Sequence, residues 1–148
     1  MVVVNKERLN DYRKLCKEID FMIERSERLA QKLNGPSGMS ISGMPKTHNK
    51  NDRISMILSK KVEIDNITSK LRKKEQKERK VIERVFSQLD PKLSFIMNIR
   101  YIDGFGWDEI NSILFRNKED FDIEEKTKYM NKTLRLHGEA LKKIKNIA

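Results

Sequence analysis

The sequence predicts an all-α fold: a long antiparallel coiled-coil hairpin followed by a compact three-helix tail. Three observations carry this. The 148 residues include only 6 glycines and 3 prolines, too few for a β-sandwich with its turn at roughly every tenth residue. Charged residues make up 36% and hydrophobic residues 37%. Against a usual charged share of about 25%, that suits charged helices with narrow apolar stripes better than a multilayer core. Apolar residues also recur at steps of three and four over long stretches without a breaker.

The first helix reads from Asn5 to Leu33. Leu9, Tyr12, Cys16, Ile19, Ile23, Ser26, Ala30 and Leu33 alternate steps of three and four, which is a heptad seam. At 1.5 Å per residue it would be about 43 Å long, and Gly35-Pro36 stop it. Ser37 to Lys50 has no apolar period and reads as a loop. Asn51 or Asp52 offers an N-cap oxygen to a second helix that runs to about Leu89. Its stripe is Ile54, Ile57, Lys61, Ile64, Ile67 or Thr68, Leu71 and, beyond a polar gap, Val81 or Ile82, Val85 and Leu89. The gap, Lys70 to Lys80, holds seven bases and two acids. The two helices fold back on each other, giving a hairpin over 1–89 with its loop at 34–51, and a second domain over 90–148.

Asp90-Pro91 opens the tail, with Pro91 at a first helical position where its missing N–H costs nothing. A helix then runs to about Ile102, carrying Leu93, Ile96, Met97, Arg100 and Tyr101. Asp103-Gly104-Phe105-Gly106 is a turn. Trp107 to Phe115 is a short helix with Asp108 and Glu109 in its first turn, where the dipole favours acids, and with Trp107, Ile110 and Leu114 on one face. Arg116 to Phe121 is polar, and Asp122 can cap a last helix that reaches about Ile147.

Composition excludes several classes. One cysteine rules out an internal disulfide and a cysteine-based zinc site. Met1 to Val4 are too short for a signal peptide's apolar region, and no run approaches the roughly 18 apolar residues of a membrane span. A cytoplasmic protein without membrane association is expected. No Ser-His-Asp set, metal-ligand spacing or glycine-rich phosphate loop occurs, so no enzyme, catalytic residue, metal or cofactor is expected. The net charge of +10 favours a polyanionic partner, of which nucleic acid is the commonest. Charge is also polarised along the tail: Asp103 to Glu125 is net −6 and Lys126 to Ala148 net +6. An acidic segment before a basic helix suggests two surfaces with different partners; the alternative is a charged helix pair neutralising itself.

The string Arg100 to Ile110 (RYIDGFGWDEI), followed by Leu134 to Ile144 (LRLHGEALKKI), resembles sigma-factor region 4, the helix-turn-helix of sigma-70-type factors. The whole chain, with its helical hairpin and Gly43-Met44-Pro45 string, is similar to a phage and prophage family with this C-terminal unit, and resembles the late-gene transcriptional regulators of Gram-positive phages. The resemblance implies a three-helix, sigma-region-4-like helix-turn-helix after the hairpin. One departure stands out. Trp107 and His137 lie 30 residues apart, about a dozen more than the resemblance implies, with the extra residues around Asn117 to Tyr129. Either the turn is enlarged or the last helix begins early, with Glu124 and Glu125 in its first turn. A helix-turn-helix ordinarily uses a turn of about 3–4 residues.

In such a unit the recognition helix offers its N-terminal half to base edges while flanking bases hold phosphates. By the register of the resemblance, Thr133, Leu136, Ala140, Ile144 and Ile147 face the core and Asn131, Lys132 and Arg135 face outward. Arg pairs bidentately with guanine and Asn with adenine. Lys126, Lys128, Tyr129, Lys142 and Lys143 are the phosphate candidates. A second register, with Ile123, Met130, Leu134 and Leu141 inward, remains open.

Other residues read as structural. Trp107 reads as core rather than a base-stacking platform, His137 as packed or hydrogen-bonded rather than a ligand, and Cys16 as a small seam residue. His48 has no second ligand near it. Gly138 either admits a close neighbour or is tolerated without purpose. The run Lys70 to Lys80 reads as a solvated face more readily than a phosphate contact.

The expected function is a DNA-binding transcriptional regulator, an activator of phage late genes, that reads a promoter-proximal site on double-stranded DNA with its C-terminal helix. The hairpin would serve dimerisation or touch the transcription machinery. Asp103 to Glu125 is the candidate surface for RNA polymerase. The alternative is a coiled-coil adaptor or antirepressor that acts through protein contacts and keeps a degenerate helix-turn-helix for packing.

Overall fold

A computed structural model describes residues 3–34, 47–115 and 123–147. Among these the regular structure is helical throughout: α1 (Lys6–Asn34), α2 (Thr47–Phe86), α3 (Pro91–Met97), a π turn (Asn98–Ile102), α4 (Trp107–Leu114) and α5 (Ile123–Lys145). The Gly35-Pro36 stop, the Gly43-Met44-Pro45 string, the polar run Arg116 to Phe121 and the Asp122 cap lie outside the described residues. No described helix is long and apolar enough to cross a membrane.

The chain divides into two compact units, Leu15–Glu75 and Met1–Lys14 with Gln76–Ala148. These borders fall inside α1 and α2, elsewhere than the 89/90 border read from the sequence. The physical reason is burial: Val4, Leu9 and Tyr12 belong to the same core as Ile82, Val85 and Phe86, and none of the six exceeds 7% exposure.

In the unit Leu15–Glu75, the core residues are Leu15 and Ile19 of α1 and Ile64 of α2, joined by the small polar Ser26 and Thr68. Each polar group is satisfied: the Ser26 hydroxyl donates to Asp65 Oδ1 (2.6 Å) and the Thr68 hydroxyl to the Ile64 carbonyl (2.8 Å). Thr68, rather than Ile67, occupies the inward position, and Ile67 is exposed. Ile23, Cys16, Ala30 and Leu33 of the predicted seam are half-buried. An open groove of about 390 Å³ runs past Ile23, Ser26, Thr68 and Ser69.

α2 begins earlier than expected. It is already helical at Thr47, so Asn51 and Asp52 lie within the helix and do not cap it; nothing from Thr47 to Asp52 forbids a helix. It ends earlier too, at Phe86, where Gln88 N–H bonds to the Val85 carbonyl and Leu89 N–H to that of Phe86, both at 3.1 Å. Such i→i+3 bonds tighten a last turn and here bury Leu89. The polar gap is sorted by side. Its seven bases, from Lys70 to Lys80, are exposed, whereas Glu75 and Glu78 are half-buried. Glu78 is gripped by Arg8, whose Nε and Nη2 donate to its two carboxylate oxygens at 3.0 and 2.6 Å.

In the unit holding the tail, Pro91 starts α3, and the Asp90 side chain makes no capping bond. The predicted third helix continues past Met97, but as a π turn: Asp103 N–H reaches back to the Asn98 carbonyl at 3.0 Å. Gly104 takes a left-handed conformation (φ 78°), which lets Phe105 N–H return to the Ile99 carbonyl at 2.9 Å. A side chain at Gly104 would be strained in that conformation. Leu93, Ile96, Met97, Ile99, Tyr101, Ile110, Ala140 and Ile144 join Ile82 and Phe86 in the core of this unit.

Candidate nucleic-acid interface

The register of α5 decides which side chains it offers. Tyr129, Thr133, His137, Ala140 and Ile144 are buried at steps of four, four, three and four, while Leu136 is half-buried. The second register is not adopted, since Leu134 is 42% exposed. The early start also resolves one alternative: α5 is helical from Ile123, and residues 115–122 separate it from α4.

Three devices fix α5 in this register. At its N-terminal end, Tyr129 packs on Phe115 with ring centroids 4.5 Å apart. One turn on, the buried Thr133 hydroxyl lies 3.0 Å from Asn111 Oδ1 of α4, to which it donates, and 3.1 Å from the Tyr129 carbonyl. Another turn on, His137 Nε2 lies 2.7 Å from the Tyr101 hydroxyl and its ring packs T-shaped on Trp107 with ring centroids 4.7 Å apart. Burial, reinforced by the cations of Lys6 and Arg100, pushes the His137 pKa down to about 4, and burial raises that of Tyr101. Both side chains are therefore neutral near pH 7.

Arg100 closes the group. Its guanidinium stands 4.3 Å over the Trp107 ring, and Nη1 donates to the Phe105 carbonyl at 3.2 Å. Burial, with Arg13 as a second cause, lowers its pKa. Trp107 is half-buried, with a cation over its ring and the imidazole packed against it in a T-shape. Gly138, by contrast, has open space where a Cβ would stand, so it admits no close neighbour.

The predicted site residues separate into three groups. Lys126, Lys128, Asn131, Arg135 and Lys142 are exposed, and among the described residues they form no ion pair. Lys132 is exposed but lies 5.3 Å over the Tyr129 ring, and Lys143 is exposed but bonded to Asp90 Oδ2 at 2.6 Å; that bond raises its pKa. Tyr129 departs from the expectation. It is 8% exposed, on the inward side one turn before Thr133, so it steadies Lys132 rather than meeting a phosphate itself. Of the acidic stretch, Asp103, Asp108, Glu109 and Glu125 are exposed.

Sequence reasoning missed the Asn111–Thr133 pair and the partnership of Tyr101 with His137. Both polar residues of the first pair stand at helical steps from apolar ones, and that was the available signal. Among the described residues no group of three or more His, Cys, Asp or Glu could hold a metal ion. In comparisons with protein-family models, curated proteins and solved structures, nothing matches this chain.

Proposed function

We propose that the chain is a DNA-binding transcriptional regulator that reads a duplex site near a promoter with the outward side of α5. One observation carries this reading: the buried series Tyr129, Thr133, His137, Ala140 and Ile144 turns Lys128, Asn131, Lys132 and Arg135 together toward solvent. That is a bidentate guanine reader and an adenine reader, flanked by cations suited to phosphates. The resemblance to sigma region 4 and to phage late-gene regulators supplies the biological role, activation of late genes. It also supplies RNA polymerase as a second partner, met by the acids between Asp103 and Glu125. The antiparallel hairpin of α1 and α2 serves as the dimerisation element, and a dimer would double the phosphate contacts.

A mobility shift on upstream phage DNA at two salt concentrations tests the reading. Sequence preference should be present in the wild type and lost in Arg135→Ala, with the fold intact. Weak binding that depends on salt alone and ignores Arg135 would overturn it.

A second reading, a coiled-coil adaptor or antirepressor, has its own observation. The unit Leu15–Glu75 exposes large apolar side chains, with Phe21 at 68%, Met56 at 73% and Val62 at 57%, the kind of surface that marks protein contacts. Under this reading Arg135→Ala has no effect on function and substitution of Phe21 or Met56 abolishes it.

A further inference from the structure

The seven-base run of α2 is not used by the reading above, and part of it lies in the same compact unit as α5. Within that unit, Lys77, Lys80 and Arg84 follow at steps of three and four on the side of α2 away from the buried Ile82, and all three are exposed. The nearby acids are occupied elsewhere. Glu78 is held by Arg8, and Glu83 by Arg79 at 3.0 Å. No acid stands four residues from any of the three cations; Glu83, three residues from Lys80, is the acid that Arg79 holds, and Lys80 and Arg84 are themselves four apart. Among the described residues none of their side chains forms an ion pair or hydrogen bond.

Some cations of the two long helices are neutralised locally at steps of three or four, as in Arg28–Glu24, Lys60–Glu63, Lys61–Asp65 and Arg79–Glu83; Lys77, Lys80 and Arg84 are not. A merely solvated face gains from such mixing, whereas a stripe of one sign repels itself until a polyanion lies along it. Lys77 and Arg84 are about 10 Å apart along the helix axis, a span that covers about three phosphates of one strand at 3.4 Å each.

We propose that Lys77, Lys80 and Arg84 form a second, sequence-independent contact with the phosphate backbone of duplex DNA. The proposal rests on the reading of the chain as a DNA-binding protein but not on α5 being the part that selects sequence. Backbone contacts of this kind set affinity and register, and base contacts set preference.

The test compares the full-length wild type, the triple variant Lys77→Ala, Lys80→Ala, Arg84→Ala, and Arg135→Ala. Binding of each to two labelled duplexes, an upstream phage fragment and a shuffled version, is measured by fluorescence anisotropy across a salt series, with circular dichroism to confirm folding. The triple variant should weaken binding to both duplexes equally, by about 100-fold at 0.15 M salt, and should flatten the slope of log K against log salt by about 2–3. Unchanged affinity and slope overturn the proposal, whatever Arg135→Ala does. If the triple variant flattens the slope while Arg135→Ala changes nothing, the stripe stands and the α5 reading falls. A wild type that binds no duplex even at low salt overturns both. Vesicles containing phosphatidylserine serve as the other polyanionic surface; loss of vesicle binding in the triple variant with an unchanged DNA slope also overturns the proposal.

Discussion

The Tyr101 hydroxyl lies 2.7 Å from His137 Nε2, so the two halves of the C-terminal sequence pattern, 36 residues apart, meet in one buried hydrogen bond. With the imidazole neutral and its proton on Nδ1, the phenol donates and Nε2 accepts. The π turn that carries Tyr101 and the inward side of α5 that carries His137 are thereby joined at the point where Trp107 and Arg100 also converge.

The pairing makes the fold sensitive to acid. In the unfolded chain this imidazole takes up a proton near its ordinary pKa of 6.5, but in the folded protein only near 4. Protonation therefore favours unfolding. The contribution to stability is complete above about pH 6.5 and is lost as pH falls toward 4. At pH 5 the loss is about 2 kcal/mol. Melting temperatures of the wild type and His137→Phe between pH 7 and 5 should show a steeper fall in the wild type, by several degrees. Equal slopes would mean that the imidazole does not carry the effect.

The bond between Thr133 and Asn111 has a different signature. Thr133→Val keeps the shape but leaves the Asn111 amide oxygen, in a side chain 7% exposed, without this donor; the expected loss is about 1–3 kcal/mol. Replacing both, with Asn111→Leu and Thr133→Val, should recover most of it. Urea unfolding of the two singles and the double gives the coupling energy, and purely additive losses would count against the bond.

Two of the tail's three glycines, Gly104 and Gly138, should respond in opposite directions to alanine. Gly138 has a helical environment with room for a Cβ, so Gly138→Ala should stabilise by about 0.5–1 kcal/mol. Gly104 has φ at 78°, so Gly104→Ala should destabilise by about 1 kcal/mol. Thermal melts of both variants check this pair, and a destabilised Gly138→Ala would mean that a neighbour does approach α5 there.

Asp90 restrains a cation that DNA would use. Its carboxylate accepts from Lys143 Nζ at 2.6 Å, with both side chains largely exposed, so the pair itself is worth little to stability. Asp90→Asn should free Lys143 and strengthen duplex binding by about fivefold at 0.15 M salt, with the salt slope steeper by about 0.9. Anisotropy titrations across a salt series measure both, and unchanged values would remove Lys143 from the interface.

Much of the helical framework was legible because periodicity is a local signal. Leu9, Tyr12 and Ile19 of the first seam and the inward series Thr133, Ala140 and Ile144 follow from three- and four-residue spacing alone, whereas packing buries Leu15 in preference to its neighbour Cys16. The start of α2 is not legible because Asn51 and Asp52 are good caps but also permissible helix residues, and a cap is chosen by what precedes it. The place of Tyr129 is hidden for a related reason: a tyrosine beside lysines suits both a phosphate and a core, and the choice depends on whether Phe115 is there to receive its ring.

By itself, then, the sequence determined an all-helical chain, its positive charge, the stripes its helices bury and the cations α5 can show. The tertiary structure decided which of two registers α5 adopts, that the acids of the basic run turn inward, and that Val4, Leu9 and Tyr12 share a core with the tail. The physical reason is that spacing along one helix specifies a stripe but not its neighbour. Only packing brings Asn111 to Thr133, Tyr101 to His137 and Arg8 to Glu78, and those contacts between distant residues select one arrangement among several that local pattern allows equally.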